Sequence, residues 1–170
     1  MGISIQPLGR EHDRTLFSCG SPALDEWFRR RAGQDERRNV ARVFVAVDDE
    51  QRVVGFYSLG SFALAIGDLP VELVRKLPHY EAIPAALIGR LARDHKARGQ
   101  GIGELLLADA VRRILNASTS LAVFAIVVDA KDERAVGFYE SFGFKRFPER
   151  KNRLFLLAST AAEAFARATD

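Results

Sequence analysis

Arg90-Leu91-Ala92-Arg93-Asp94-His95-Lys96-Ala97-Arg98-Gly99-Gln100-Gly101-Ile102-Gly103-Glu104 carries the chain from an apolar segment into the start of a helix, with three glycines at the join. The first backbone N–H groups of a helix have no carbonyl one turn earlier. They point outward at the positive end of the helix dipole and hold anions without help from lysine. Glycine is needed where a side chain would block that approach or where φ must be positive. Taken alone, the stretch reads either as a phosphate cradle or as a flexible connection. A Rossmann turn would close a first βαβ unit, whereas this one lies at mid-chain. A P-loop would place Lys-Ser or Lys-Thr after its last glycine, and here Glu104 follows Gly103.

The sequence on either side of the turn orders itself around it. Ala86 to Asp94 reads as the strand leading in. Ile102, Leu106, Ala110 and Ile114, flanked by Leu107 and Val111, make the apolar stripe of a long helix, with Glu104, Asp109, Arg112, Arg113 and Asn116 outside it. Upstream, Ile3 to Leu8 is a first strand. Ser21-Pro22 starts a short amphipathic helix through Leu24, Trp27 and Phe28. Val43 to Val47 and Val53 to Ile66, joined by Asp48 to Arg52, form a β-hairpin. Leu69-Pro70 opens a small helix to about Leu77, and Ile83-Pro84 ends the loop after it. Downstream, the unbroken apolar run Leu121 to Val128 predicts a central strand covered on both faces. Asp132 caps a helix that carries Val136, Phe138, Tyr139 and Phe142 and stops at Gly143. Phe144 to Phe147 and Leu154 to Leu157 supply the last strands, and Thr160-Ala161-Ala162-Glu163 has the form of a capping box for a terminal helix. The expectation is an α+β fold in a single domain over residues 1–170, with a mixed, mostly antiparallel sheet flanked by helices.

Composition narrows the function classes. The 25 Lys and Arg against 22 Asp and Glu leave a formal charge of +3, too little to make the whole chain a polycation. The charge is clustered instead. Arg29 to Arg42 holds six arginines against Asp35 and Glu36, and Lys145 to Arg153 holds five cations against Glu149, a pattern that suits a polyanionic partner or a plain solvated surface. Cys19 is the single cysteine, so no internal disulfide can form, and a reducing cytoplasm is the expected compartment. Met1-Gly2-Ile3-Ser4 lacks the pattern of a signal peptide, and no apolar run is long enough to span a bilayer, so no membrane association is expected. His12, His79 and His95 lack ligand spacing, and no metal site is expected.

Two motifs in one order then resemble a known family. Arg98-Gly99-Gln100-Gly101-Ile102-Gly103 is similar to the acyl-CoA pyrophosphate motif of the GNAT acetyltransferases. Ala135-Val136-Gly137-Phe138-Tyr139-Glu140-Ser141-Phe142-Gly143-Phe144 resembles the helix and turn that end the GNAT core. Cys19 to Trp27, Gly55 to Leu59, Ile83-Pro84 with Arg90 to Asp94, and Leu154-Phe155-Leu156 extend the resemblance to GNAT toxins of type II toxin-antitoxin pairs. The resemblance implies N-acetylation of the α-amine of aminoacyl-tRNA, which blocks translation. It also implies acetyl-CoA as cofactor, a ribbon-helix-helix antitoxin as partner, and a homodimer. It puts the cofactor on Leu91, Ala92, Arg93, Arg98, Gly99, Gln100, Gly101, Ile102, Gly103 and Glu104, with backbone N–H groups near Leu91 to Arg93 holding the oxyanion.

Tyr139 falls at the position of the catalytic acid. Its phenol, with a reference pKa of about 10, is neutral at physiological pH and can give a proton to a departing thiolate. The competing reading makes it one more core aromatic beside Phe138 and Phe142. An α-amine titrates at about 7.7 to 8, against about 10.4 for lysine, so an α-amine substrate needs little general-base help, in keeping with the lack of an obvious His or Glu base. For tRNA phosphates the candidates are Arg29, Arg30, Arg37, Arg38, Arg42, Arg90, Arg150 and Lys151, with Arg93 and Arg153 behind them. Arg29, Arg30 and Arg31 stand about 100° apart on a helix and cannot share one face. Two other functions stay open at this stage. One is a GNAT enzyme of a small amine or peptide, which would want an acidic pocket, and the other is a non-catalytic RNA-binding module.

Overall fold

A computed structural model describes residues 2–169 of the chain. In chain order its strands are β1 (Ser4–Pro7), β2 (Arg42–Val47), β3 (Val53–Ala65), β4 (Ala82–Arg93), β5 (Ala125–Asp129), β6 (Lys145–Phe147) and β7 (Arg150–Leu157). The α-helices are α1 (Pro22–Glu26), α2 (Ala32–Arg37), α3 (Val71–Val74), α4 (Ile102–Ala117), α5 (Glu133–Glu140) and α6 (Ala158–Thr169). The seven strands form one sheet in the order β1-β2-β3-β4-β5-β7-β6, and with the helices this is the expected α+β fold. The chain sorts into two compact units, one of residues up to Gly60 with Ile88–Arg112, the other of Ser61–Leu87 with residues from Arg113 on. No helix among the described residues is long and apolar enough to cross a membrane.

In the first unit β2 pairs antiparallel with β1, Ser4 opposite Val47, and with β3, Arg42 opposite Leu59. The hairpin turn is closed by Asp48, whose carboxylate accepts from the backbone N–H groups of Glu50 and Arg52 at 3.0 and 2.9 Å. Pro22 takes the first position of α1 as expected, while the cap of Ser21 is its carbonyl, which accepts from Asp25 N–H at 2.9 Å. The helix widens to a π turn over Trp27–Arg31 before α2. Arg14 reaches into that turn and donates from Nη1 to the Phe28 carbonyl at 2.6 Å. Beneath lies an aromatic core: Phe28 stacks on Phe56 at 4.0 Å, and Phe17 meets both edge-on.

Helix α4 sits close on this unit's strands because Gly55 has no side chain. A Cβ there would lie 2.9 Å from Leu106 Cδ1 and 3.1 Å from both Ile102 Cγ2 and the Ala92 carbonyl oxygen. The stripe Ile102, Leu106, Leu107, Ala110, Val111 and Ile114 is buried as expected, but Asp109 is buried with it and not outside it. The reason is Tyr57, fully buried on β3, whose hydroxyl donates to Asp109 Oδ2 at 2.6 Å. Arg112 Nη2 donates to the other carboxylate oxygen at 2.5 Å, so the buried charge is matched.

In the second unit β7 pairs antiparallel with β5, Ala125 opposite Leu157, and with β6. Leu64, Ile66, Leu69, Ile83, Ala85, Ala125, Val127, Phe147 and Phe155 form its core. Several expected boundaries shift here. The central strand starts at Ala125 and not at Leu121, which is 73% exposed, because residues 118–124 turn the chain after α4. Ile83-Pro84 lies inside β4, where Pro84 lends its carbonyl to Phe124 N–H at 2.9 Å and needs no N–H of its own. Helix α3 is a single turn, and α6 begins at Ala158 directly after β7, ahead of the expected Thr160 cap. Asp132 caps α5 by accepting from Ala135 N–H at 2.9 Å.

The fit at Gly55 yields a stability prediction. Gly55→Ala adds one methyl to a contact with no room, and such overpacking costs about 1 to 3 kcal/mol. Chemical denaturation measures it, and a variant as stable as the parent would mean that α4 moves away from β3 freely.

Candidate active site

The glycine turn is bolted at one end and open at the other. At the end of β4, Leu91 and Arg93 are half-buried and Ala92 is buried among the aromatic residues of the first unit. Asp94, also buried, donates its N–H to the Val54 carbonyl at 2.9 Å. Its carboxylate accepts from Lys96 N–H at 2.9 Å and Ser18 N–H at 3.2 Å. His95 N–H donates to the Ser18 carbonyl, also at 2.9 Å. Beyond this anchor Arg98, Gly99, Gln100 and Gly101 are exposed, and Ile102 drops into the core to begin α4.

Gly99 and Gly101 have φ of 78° and 71°. A Cβ on Gly99 would meet nothing within 4 Å, and one on Gly101 only Glu104 Oε2 at 3.4 Å, so conformation and not crowding demands glycine here. The Gly101 carbonyl accepts from Leu105 N–H at 3.1 Å, which leaves the amides of Ile102, Gly103 and Glu104 as the helix's outward donors. With Arg98 exposed beside them, this cradle fits a diphosphate.

Tyr139 lies in the second unit, on α5. It is 4% exposed and meets Phe138 and Phe144 edge-on, at 5.3 and 5.6 Å between ring centroids. Phe142, expected in the same core face, is instead 44% exposed. No buried side-chain oxygen or nitrogen among the described residues lacks a partner, and the Tyr139 hydroxyl bonds to none of those residues. The Tyr139 hydroxyl oxygen is therefore not fully buried. Burial holds the phenol's proton well beyond the ordinary tyrosine range, and the charge of Asp129 adds to the effect. Asp129 is itself gripped by Arg153 through Nε at 2.8 Å and Nη2 at 3.2 Å.

The arginines divide by what already holds them. Arg29, Arg30, Arg37 and Arg38 are exposed, Arg29 with Nε on the Asp25 carbonyl at 3.3 Å. Arg42 is engaged within the protein, bonding Glu36 Oε1 and Asn39 Oδ1, both at 2.6 Å. Arg150 lies 3.3 Å from Asp68, while Lys151 is exposed. Arg90 is half-buried, its guanidinium 3.9 Å from the centre of the Trp27 ring. Arg14, absent from the sequence-based set, is held near Arg37, and burial together with that like charge lowers its pKa. Only the fold reveals it, since nothing local in the sequence ties Arg14 to the π turn. Among the described residues no group of three or more His, Cys, Asp or Glu is placed to hold a metal ion.

Residues 39–146 match the acetyltransferase (GNAT) domain. The chain belongs to the GNAT acetyltransferase family. Over 149 residues it is 40% identical to the tRNA-acetylating toxin of Mycobacterium tuberculosis, covering 88% of each protein. It is 33% identical over 165 residues to a probable toxin TacT of Sinorhizobium fredii, covering 92% of this chain and 91% of that one. Among solved structures, AtaT complexed with acetyl-methionyl-tRNAfMet has a TM-score of 0.87 at 29% identity, covering 96% of this chain and 99% of its own. An AtaT mutant toxin bound to the C-terminus of the antitoxin AtaR and acetyl-CoA has a TM-score of 0.81 at 25% identity, covering 98% and 99%. The GNAT match takes in the glycine turn, Arg90 and Tyr139, and leaves Arg29 to Arg38 and Arg150 to Lys151 outside it.

The environment of Tyr139 fixes a titration result. Since its pKa lies above the ordinary value of about 10, the phenol stays neutral where exposed tyrosines ionise. Ultraviolet titration of the parent chain against Tyr139→Phe will show no tyrosinate from this residue below pH 10. A difference signal at pH 9 would place the ring in water.

Proposed function

We propose that this GNAT enzyme transfers the acetyl group of acetyl-CoA to the α-amine of aminoacyl-tRNA and acts as a translation-blocking toxin. The observation that carries the reading is the 40% identity to a tRNA-acetylating toxin across 88% of both chains. The GNAT match over residues 39–146 supports reading the chain as one acetyltransferase domain. An enzyme of charged tRNA works in the cytoplasm.

Acetyl-CoA, when bound, supplies an acetyl group activated as a thioester. The amides of Ile102, Gly103 and Glu104, with Gly99, Gln100 and Gly101 beneath and Arg98 beside them, hold its diphosphate. Backbone N–H groups near Leu91, Ala92 and Arg93 stabilise negative charge on the acetyl oxygen. Tyr139 keeps its proton until the sulfur carries charge and then presents it there, and the proton shed by the attacking amine restores the balance. A reactive fraction of the α-amine is unprotonated at neutral pH, because a free α-amine titrates at about 7.7 to 8 and the esterified carboxyl beside it lowers that further. Arg29, Arg30, Arg37 and Arg38, with Lys151, Arg42 and Arg150 as further cations, draw the polyanion in. An antitoxin of the ribbon-helix-helix type and a second copy of the chain complete the set of proposed partners.

One observation favours a second reading, a small cationic amine as acceptor. Asp13, Asp48, Asp49, Glu50 and Asp94 line a cavity of about 610 Å³ in the first unit, together with Gln100 of the turn. Its carboxylates are largely engaged, Asp48 by Arg52 and Asp94 by backbone N–H groups. Mass spectrometry of bulk charged tRNA incubated with protein and acetyl-CoA, beside a polyamine panel, separates the two. Acetylated polyamines with untouched tRNA would overturn the first reading.

Two substitutions test the roles within it. Gly101→Glu puts a carboxylate and a strained φ at the cradle, and acetyl-CoA affinity measured by calorimetry should vanish while the circular dichroism of the fold persists. Tyr139→Phe keeps the ring packing but removes the proton, and kcat should fall by about 10²-fold or more with acetyl-CoA affinity nearly unchanged. Turnover at the parent rate would leave Tyr139 a core residue and no more.

A further inference from the structure

Arg90 is placed unlike the other cations of the chain. It shares a strand face with Ile88 and Ala92, two residues apart on β4, and Ala92 belongs to the same buried cluster as Trp27. Its guanidinium therefore comes down on the Trp27 ring at 3.9 Å, a cation–π distance. The ring is fixed: Trp27 is 6% exposed, its Nε1 donates to Asp35 Oδ2 at 2.9 Å, and it stacks on Phe56. Arg90 itself makes no hydrogen bond or ion pair with a described residue, the more distant field of Asp35 being its only counter-charge. Burial of this kind is costly for a charged group. A guanidinium stacked on one face keeps its five N–H donors along the edge, in a fork that matches a phosphate or carboxylate bidentately.

Two neighbours tell what that fork meets. Arg90 immediately precedes Leu91, the start of the segment proposed to hold the acetyl oxygen. Trp27 and Asp35, which hold Arg90, sit in the same helical segment as the exposed Arg30, Arg31, Arg37 and Arg38. We propose that Arg90, held flat on Trp27, is the phosphate hook that brings the charged 3′ end of the tRNA acceptor to β4, with Trp27 as its positioning residue. This deepens the tRNA reading and rests on it. The alternative role, a cation–π staple that only joins β4 to the helix, makes different numbers.

The experiment is steady-state acetylation of bulk charged tRNA at a series of salt concentrations. Arg90→Ala should raise KM for charged tRNA by about 10-fold, the scale of one charge-assisted hydrogen-bonded pair, with kcat changed by less than about twofold. The slope of log(kcat/KM) against log salt should become shallower by about 0.7 to 0.9, one phosphate contact. Arg90→Lys keeps the charge and so the slope, but loses the fork and raises KM several-fold. Trp27→Leu should reproduce the raised KM, and Trp27→Phe, which restores a ring face, should recover most of it. Acetyl-CoA affinity by calorimetry reports whether each variant is folded. An unchanged slope in folded Arg90→Ala makes Arg90 a staple and overturns the hook, as does a parental KM in Arg90→Lys. If the parent chain acetylates other amines and leaves charged tRNA untouched, the tRNA reading itself has failed, before any variant is compared.

Discussion

The seat of α4 on the first unit's strands is the constraint on which the glycine turn depends. A cradle of backbone amides works only if the helix start is held still, because backbone donors cannot follow a ligand as a long side chain can. Two contacts hold it. Gly55 lets Ile102 and Leu106 approach β3 so closely that a Cβ there would lie 3.1 and 2.9 Å from them, and Tyr57 ties Asp109, further along the helix, to the same strand. Asp94 anchors the other side through Ser18, Lys96 and Val54. Between these anchors Arg98 to Gly101 is an unbroken exposed stretch, with positive φ at both glycines. The fixed parts are side chain and the open part is main chain, a division that suits the diphosphate proposed to sit there.

Burial of Tyr139 has an opposite consequence. In water a phenol and a thiol release their protons at similar pH, about 10 and 8.5, and a tyrosine would be only a moderate donor at alkaline pH. Desolvation by α5 and Phe144, with Asp129 nearby, penalises the phenolate and keeps the proton on oxygen. The pairing of Asp129 with Arg153 keeps that carboxylate's influence second to burial. A phenol held in this way stays protonated as pH rises through the range in which an α-amine deprotonates. In the mechanism proposed above, the titration of Tyr139 therefore lies clear of that of the acceptor amine.

The glycine turn, the α5 cap at Asp132 and the position of Tyr139 were legible in the sequence because each depends on contacts within a few residues. The hairpin and the stripe of α4 were legible for the same reason, through period and turn chemistry. The failures share a cause as well. Leu121 to Phe124 is as apolar as a strand, but the chain needs those residues to leave α4, a demand of topology and not of propensity. Asp109 reads as a surface residue until Tyr57, 52 positions away, is brought to it. Arg42 and Arg150 read as free cations, and only the fold supplies Glu36 and Asp68 as their partners. Local composition predicts charge but not whether that charge is already spent.

That distinction decides how the basic surface should be understood. Of the arginines in the segment from 29 to 42, Arg42 is engaged by a carboxylate, and the acids that might neutralise the rest are themselves committed. Asp35 accepts from the Trp27 indole, and Glu36 from Arg42 and the Val43 backbone N–H. Burial lowers the pKa of Arg14, and the like charge of Arg37 lowers it further. Folding alone gives no reason to gather uncompensated cations beside committed acids, since their repulsion subtracts from a small net stability. An arrangement that is unfavourable in isolation and complementary to a polyanion is what recognition of an RNA backbone requires, with phosphate contacts giving affinity and register but little choice of sequence. On the tRNA reading proposed above, these cations supply affinity and register, and the choice among charged tRNAs falls to contacts other than those with phosphate.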